Sequence, residues 1–182
     1  MNELASKGQL RLSYFRWALV CITAILFCGI LSGVIANSGH DNRWFAALTK
    51  PDLMPPGKIF GIVWPALYVL LGLAVALILD ARRARGKGLA ITLFIVQLLC
   101  NFGWSPLFFA AHEVELALYL LGVILLLSVV TAWLFSRIRT AAGLLMLPYI
   151  LWLCFAIYLN FEVDRLNSGA ETLVAPAINT QI

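Results

Sequence analysis

The chain has 182 residues, of which 62% are hydrophobic and only 12% charged, and a formal net charge of +4. Soluble domains average about half apolar and roughly a quarter charged residues, so this composition excludes a soluble enzyme, a nucleic-acid module and a disulfide scaffold. Five windows contain no Asp, Glu, Lys or Arg: Trp17–Gly39, Ile59–Leu79, Gly88–Ala111, Leu116–Ser136 and Thr140–Phe161. At about 1.5 Å per helical residue, each window is long enough to cross a hydrocarbon core of about 30 Å. The strands of a membrane β-barrel are about ten residues long and alternate apolar with polar positions, and none of the windows does so. The sequence therefore predicts an all-α integral membrane protein, a five-transmembrane-helix bundle forming a single domain with no internal repeat.

In chain order, the first span (17–39) begins after a basic segment and contains Val34-Ile35-Ala36, features shared with a cleavable signal peptide. Its length favours a retained helix. The span carries Gly29 and Gly33 in GxxxG spacing, which permits close helix approach, either in a dimer or within the bundle. Residues 37–58 then form a connection too long to be a plain turn, and such loops are often functional. Within it Trp44, Phe45 and Leu48 have helical spacing and are followed by Lys50-Pro51 and Pro55-Pro56. A short amphipathic turn with a rigid Pro-rich segment would make a lid over one mouth of the bundle, or an interfacial anchor with Trp44 at the headgroups.

The remaining spans carry the informative polar residues. The second (59–79) has Trp64 and Tyr68 one turn apart; the third (88–111) has Gln97, Asn101, Trp104 and Phe108 on one helical face. Only Glu113–Glu115 separates the third span from the fourth (116–136), which predicts tight antiparallel neighbours. The fifth (140–161) has Tyr149, Trp152, Ala156 and Asn160 on one face. Polar groups in hydrocarbon need partners, so three aligned aromatic-plus-amide stripes point either to a common cavity or to a packed core with hydrogen-bonded amides. Pro65, Pro106 and Pro148 favour the cavity. Each frees the carbonyl four residues earlier, at Gly61, Phe102 and Leu144, and such backbone is tolerated at membrane depth only beside protein or a cavity. A pocket of Trp, Tyr and Phe with a few amides suits a large, flat, mostly apolar ligand. The chain ends in a short tail, expected to be flexible.

No ionisable Asp, Glu, Lys, Arg or His falls inside a span, which disfavours ion-coupled pumps and proton relays. No metal site is expected: His40 lies in the loop, and His112-Glu113 reads as a solvated turn. Cys21, Cys28, Cys100 and Cys154 lack CxxC spacing and read as small core residues. Basic residues favour one side. Lys7, Arg11, Arg16, Arg82, Arg83, Arg85, Lys87, Arg137 and Arg139 stand against Arg43, Lys50, Lys58 and Arg165. The positive-inside rule then places the N-terminus in the cytoplasm and the C-terminus outside, and the lipid bilayer, not nucleic acid, accounts for the positive charge.

With these residues laid out, the sequence resembles the TspO/MBR family, the tryptophan-rich sensory proteins and translocator proteins. The resemblance spans roughly Arg43 to Asn167. It rests on Trp44…Leu48-Thr49-Lys50-Pro51…Pro55-Pro56, Phe60…Trp64…Leu67-Tyr68, Gln97-Leu98…Asn101…Trp104…Pro106…Phe108-Phe109, and Pro148-Tyr149…Trp152…Ala156…Leu159-Asn160…Asn167. The resemblance implies a five-helix bundle, commonly a homodimer, whose pocket under the first loop binds porphyrins such as protoporphyrin IX, sterols and synthetic ligands. Carried onto this chain, that pocket would include Trp44, Pro51, Trp64, Asn101, Trp104, Trp152 and Ala156. The residues' own pattern adds Tyr68, Gln97, Phe108, Tyr149 and Asn160. Asp52-Leu53 depart from the aromatic pair that follows Lys-Pro in many relatives, and the sterol pattern is not met, because Arg165 lies too far beyond Tyr158.

The leading expectation is a membrane-embedded tetrapyrrole-binding protein with a sensory or regulatory role, requiring no cofactor. Arg43, Lys50 or Lys58, at the mouth by charge and position, would pair with ligand carboxylates. The alternatives are light- and oxygen-dependent porphyrin degradation, for which the resemblance points to Trp64 and Trp152, and transport of porphyrin or another hydrophobic molecule. Whether the membrane is an inner or an outer one is left open by the sequence.

Overall fold

The structure, a computed structural model, describes residues 7–82 and 84–173; Arg83 and the tail beyond Leu173 lie outside the described residues. Six α-helices follow one another: α1 (Lys7–Ile35), α2 (Arg43–Ala47), α3 (Gly57–Asp80), α4 (Lys87–Ser105), α5 (Val114–Ile138) and α6 (Thr140–Leu166). A π-helical turn, Pro106–Ala110, prolongs α4, and a 3-10 turn, Ala170–Thr172, follows α6. All but α2 are long and apolar enough to cross a membrane, α4 with its π-turn included. The charge-free windows find these helices but not their ends, because the terminal turns carry residues suited to the headgroup region. Conversely, α1 stops at Ile35, short of Gly39. Asn37 adopts φ +48°, and its N–H and that of Ser38 bond to the carbonyls of Val34 (3.0 Å) and Gly33 (2.9 Å). This is the Schellman arrangement that ends a helix with a left-handed residue.

Around the bundle the spanning helices neighbour one another in the order α1, α3, α6, α5, α4. One extended residue, Arg139, joins α5 to α6, which holds that pair in a tight hairpin. Its closeness depends on Gly143, where a Cβ would meet the Ala132 carbonyl oxygen at 2.8 Å. The α1–α3 contact depends likewise on Gly72, whose absent Cβ would lie 2.6 Å from the Ile22 side chain and 2.8 Å from its Cα. Gly29 fits a GxxxG role within the chain, since a Cβ there would fall on the Tyr68 ring of α3.

Outward-facing residues such as Phe27, Val34, Ile62, Leu99, Leu126, Trp133 and Leu151 are exposed, as a lipid solvent permits. The cysteines correct the sequence reading: Cys28 and Cys154 are exposed and Cys21 and Cys100 half-buried, so none is a buried core residue. The interior holds Leu71, Ile78, Phe94, Leu121, Ile124, Phe135, Met146 and Leu153. A second cluster, of Trp44, Phe45, Leu48, Phe108, Val114, Ala117, Val163 and Ala170, joins the loop to one end of the bundle.

Pro106 shapes that end. The Phe102 carbonyl that it frees accepts a hydrogen bond from the Ser32 hydroxyl of α1. Beyond it the Ala111 N–H bonds to the Pro106 carbonyl at 2.9 Å, a wider turn that swings Phe108 and Phe109 toward the loop. Gly72→Val should wedge α1 away from α3 and destabilise the protein by about 1–3 kcal/mol. Thermal unfolding in detergent reads this directly, and a wild-type midpoint would contradict the packing.

Candidate ligand-binding site

The loop between α1 and α3 is a preformed lid. Asn42 caps the N-terminus of α2, its Oδ1 accepting from the Phe45 N–H at 2.9 Å. Its Nδ2 donates to the Asn37 carbonyl (3.1 Å) and, across to the π-turn, to the Phe109 carbonyl (3.2 Å). Lys50 closes the other end, donating to the carbonyls of Phe45 (2.8 Å), Leu48 (3.1 Å) and Ala46 (3.3 Å), with its ammonium 4.9 Å from the Phe45 ring centre. Burial pushes the Lys50 ammonium below the ordinary lysine pKa.

Beneath the lid lies a cavity of about 610 Å³, within the range of about 300–1,000 Å³ common for small-molecule sites. Its walls come from α1, the lid, α3, α4 with its π-turn, and α6, with Leu121 of α5. Of the residues expected from sequence, Trp64, Tyr68, Asn101, Trp104, Phe108, Trp152, Ala156 and Asn160 line it. The walls are mutually packed aromatics. Trp64 and Tyr68 have ring centres 5.5 Å apart, Trp104 stacks on Phe108 at 5.0 Å, and Phe60 meets Trp152 edge-on at 5.7 Å. The Tyr68 hydroxyl donates to Asn101 Oδ1 at 3.3 Å. The indole N–H groups of Trp104 and Trp152 and Oδ1 of Asn160 are buried without a hydrogen-bond partner among the described residues. Asn160 Nδ2 is engaged, donating to the Val114 carbonyl at 3.0 Å.

Seven expected residues stand elsewhere. Gln97 and Tyr149 belong to the closed core: Oε1 of Gln97 accepts from the hydroxyls of Tyr149 (3.1 Å) and Ser128 (3.2 Å), and both side chains are fully buried. Trp44 is 2% exposed within the lid's own contact. Its indole N–H donates to the Ala170 carbonyl at 2.9 Å, and its ring stacks on His112 at 4.3 Å. Buried Pro51 starts a turn through its carbonyl to the Met54 N–H and does not reach the cavity wall. None of the three cations lines the cavity either: Lys50 is committed to α2, while Arg43 and Lys58 are exposed outside the wall.

The cavity also contains residues that the sequence reading had not assigned to it. Phe45, His40 and Met54 come from the lid, Phe60 from α3, Phe109 from the π-turn, and Gly29 and Gly33 from α1. Phe60 was accessible to sequence reasoning, since it extends the Trp64–Tyr68 face by one turn. The imidazole of His40 packs edge-on to Phe45 at 5.6 Å, with Nδ1 against the bare Cα side of Gly57. The sequence model described as the TspO/MBR family matches residues 20–166.

The chain belongs to the TspO/MBR family.

It is 35% identical over 151 residues to the tryptophan-rich sensory protein of Cereibacter sphaeroides, covering 83% of this chain and 92% of that one. It is 34% identical over 149 residues to the tryptophan-rich protein TspO of Chlorobaculum tepidum, covering 81% and 94%. The human translocator protein is 32% identical over 133 residues, 72% of this chain and 79% of that protein. Family membership and five apolar helices make the chain a multi-pass integral membrane protein.

The split between core and cavity has a measurable consequence. Tyr149→Phe, which removes one buried hydroxyl, should cost about 0.5–1.5 kcal/mol of stability. Gln97→Ala strands the Tyr149 hydroxyl, while Ser128 keeps its bond to the Ile124 carbonyl at 2.7 Å, and opens a void; it should cost about 2–4 kcal/mol. Equal unfolding midpoints for the two variants would contradict the network.

Proposed function

We propose that this protein binds a porphyrin or related tetrapyrrole inside the membrane and serves a sensory or regulatory role. The observation that carries the reading is the 610 Å³ cavity beneath the lid, walled by Trp64, Trp104, Trp152, Tyr68, Phe60 and Phe108. Aromatic walls favour a flat ring system, which gains offset-stacked and edge-to-face contacts over a large area. The indole N–H groups of Trp104 and Trp152 and Oδ1 of Asn160 belong to side chains that line the cavity and are buried without a partner among the described residues; a turn of these side chains toward the chamber would offer a bound ligand two donors and one acceptor. Such groups are costly to leave unmade in a buried site. A sensory role agrees with the printed name of the relative from Cereibacter sphaeroides, a tryptophan-rich sensory protein.

Ligand carboxylates would sit at the mouth, where the lid meets solvent, not in the aromatic chamber, since among the described residues no Lys or Arg lines it. With basic residues concentrated on the N-terminal side, the positive-inside rule puts the lid and its mouth on the non-cytoplasmic face.

Titrating the purified protein with protoporphyrin IX while following Trp fluorescence tests the reading. Saturable quenching is expected. Trp64→Leu and Trp152→Leu should each weaken it about tenfold or more, whereas Trp133→Leu, on the lipid-facing side of α5, should leave the affinity unchanged. Equal quenching in all three variants would remove the cavity as the binding site.

A further inference from the structure

We infer that Asn167, immediately after α6, is the positioning residue that fastens the lid over the cavity. Its Oδ1 accepts from the Thr49 N–H at 2.8 Å, and its Nδ2 donates to the Thr49 carbonyl at 2.8 Å. Both polar groups of one lid residue are thus held by a single side chain, in the manner of a strand partner. The second Nδ2 hydrogen goes to the Val163 carbonyl at 2.7 Å, one of the carbonyls that a helix leaves open in its last turn. The amide therefore uses both of its donors and an acceptor, and the helix end fixes the direction from which Thr49 is gripped.

Among the described residues, the grip falls where the lid has no other side-chain fastener of this kind. Upstream, Asn42 ties the start of α2 to the π-turn through the Phe109 carbonyl, and Trp44 ties its first turn to the Ala170 carbonyl. Downstream of α2 the chain is extended at Leu48 and passes through Thr49 to Lys50 and Pro51. Phe45, which lines the cavity, lies on the segment between these attachments. Releasing Thr49 frees the trailing half of the lid while α2 keeps its own caps at Asn42 and Lys50. The segment after α6 is accordingly part of the site's closure. As far as Leu173 that segment is held by these bonds and by turns at Ala170, Thr172 and Leu173.

The chemistry predicts an unusual order of substitutions. Asn167→Ala removes three bonds. Asn167→Asp keeps the acceptor for the Thr49 N–H but sets a carboxylate oxygen against the carbonyls of Thr49 and Val163, so it should loosen the lid more than alanine does. A residue that merely fills space would show the reverse order, because Asp is nearly isosteric with Asn.

Amide hydrogen exchange on the full-length protein in nanodiscs, without ligand, tests the fastening itself. Exchange at Thr49 should rise about tenfold in Asn167→Ala and further in Asn167→Asp, while the interior of α3 keeps its protection and so reports an intact bundle. Trp44→Phe, which breaks the bond to Ala170 and shrinks the ring stacked on His112 but leaves the Asn167 bonds in place, should expose Thr49 less than either. Wild-type protection at Thr49 in both Asn167 variants, or Asp closer to wild type than Ala, would overturn the inference.

The consequence for release rests on the ligand reading above and is measured separately. Chasing bound protoporphyrin IX by stopped flow should show dissociation about tenfold faster in Asn167→Ala. Faster exchange at Thr49 with no binding to the wild type would sink the ligand reading and leave the fastener standing. Unchanged exchange with normal binding would do the opposite.

Discussion

A helix interrupted in hydrocarbon has no water to satisfy its backbone, so every freed carbonyl must find a partner in the protein. Pro106 creates that demand in α4, and Ser32 of α1 meets it through the Phe102 carbonyl. The bond has two structural results. It ties α1, otherwise packed chiefly on α3, to the opposite wall of the cavity. It also accompanies the wide turn of Pro106–Ala110, which offsets Phe108 and Phe109 from the straight helix line and presents them to Phe45 at 6.0 and 5.2 Å. π-turns of this kind occur often at functional sites. The lid rests on what the proline displaced.

From that point the cavity follows from depth. Its walls occupy the lid half of the bundle, while the other half is filled by Leu71, Ile78, Phe94, Phe135 and Met146. Tyr68 and Asn101, bonded to one another, stand near the boundary. Gly29 is indispensable there, because any side chain would strike the Tyr68 ring. Small residues at this level therefore decide how far the chamber reaches, and aromatic residues decide what it accepts.

The fold was legible in the sequence because hydrocarbon imposes a coarse rule, long stretches without charge, that five windows obey. The site was legible in part. Helical periodicity identifies a face but carries no depth, so Gln97 and Tyr149 shared stripes with true wall residues while lying about 4–10 Å further from the lid at 1.5 Å per residue. Both meet at Oε1 of Gln97 in the buried core instead of forming a wall. The loop was harder to read. Spacing drew attention to Trp44, and charge and position to Lys50, but a loop has no period to say which way they face. Trp44 turned inward to Ala170 and His112, and Lys50 turned back to cap α2. The partnership of Thr49 with Asn167 joins positions far apart in the chain, and no local pattern signals it.

The proposed flat ligand would occupy the chamber between α3, α4 and α6. Ala156, half-buried on the α6 wall, has the smallest side chain there other than hydrogen, so Ala156→Trp fills the chamber without removing any existing contact. The most direct measurement is protoporphyrin IX binding to this variant, read from the shift of the porphyrin absorption band, with thermal unfolding recorded on the same sample. Loss of the shift with unfolding at or above the wild-type midpoint is the predicted result. Wild-type affinity in a folded Ala156→Trp protein would contradict the account.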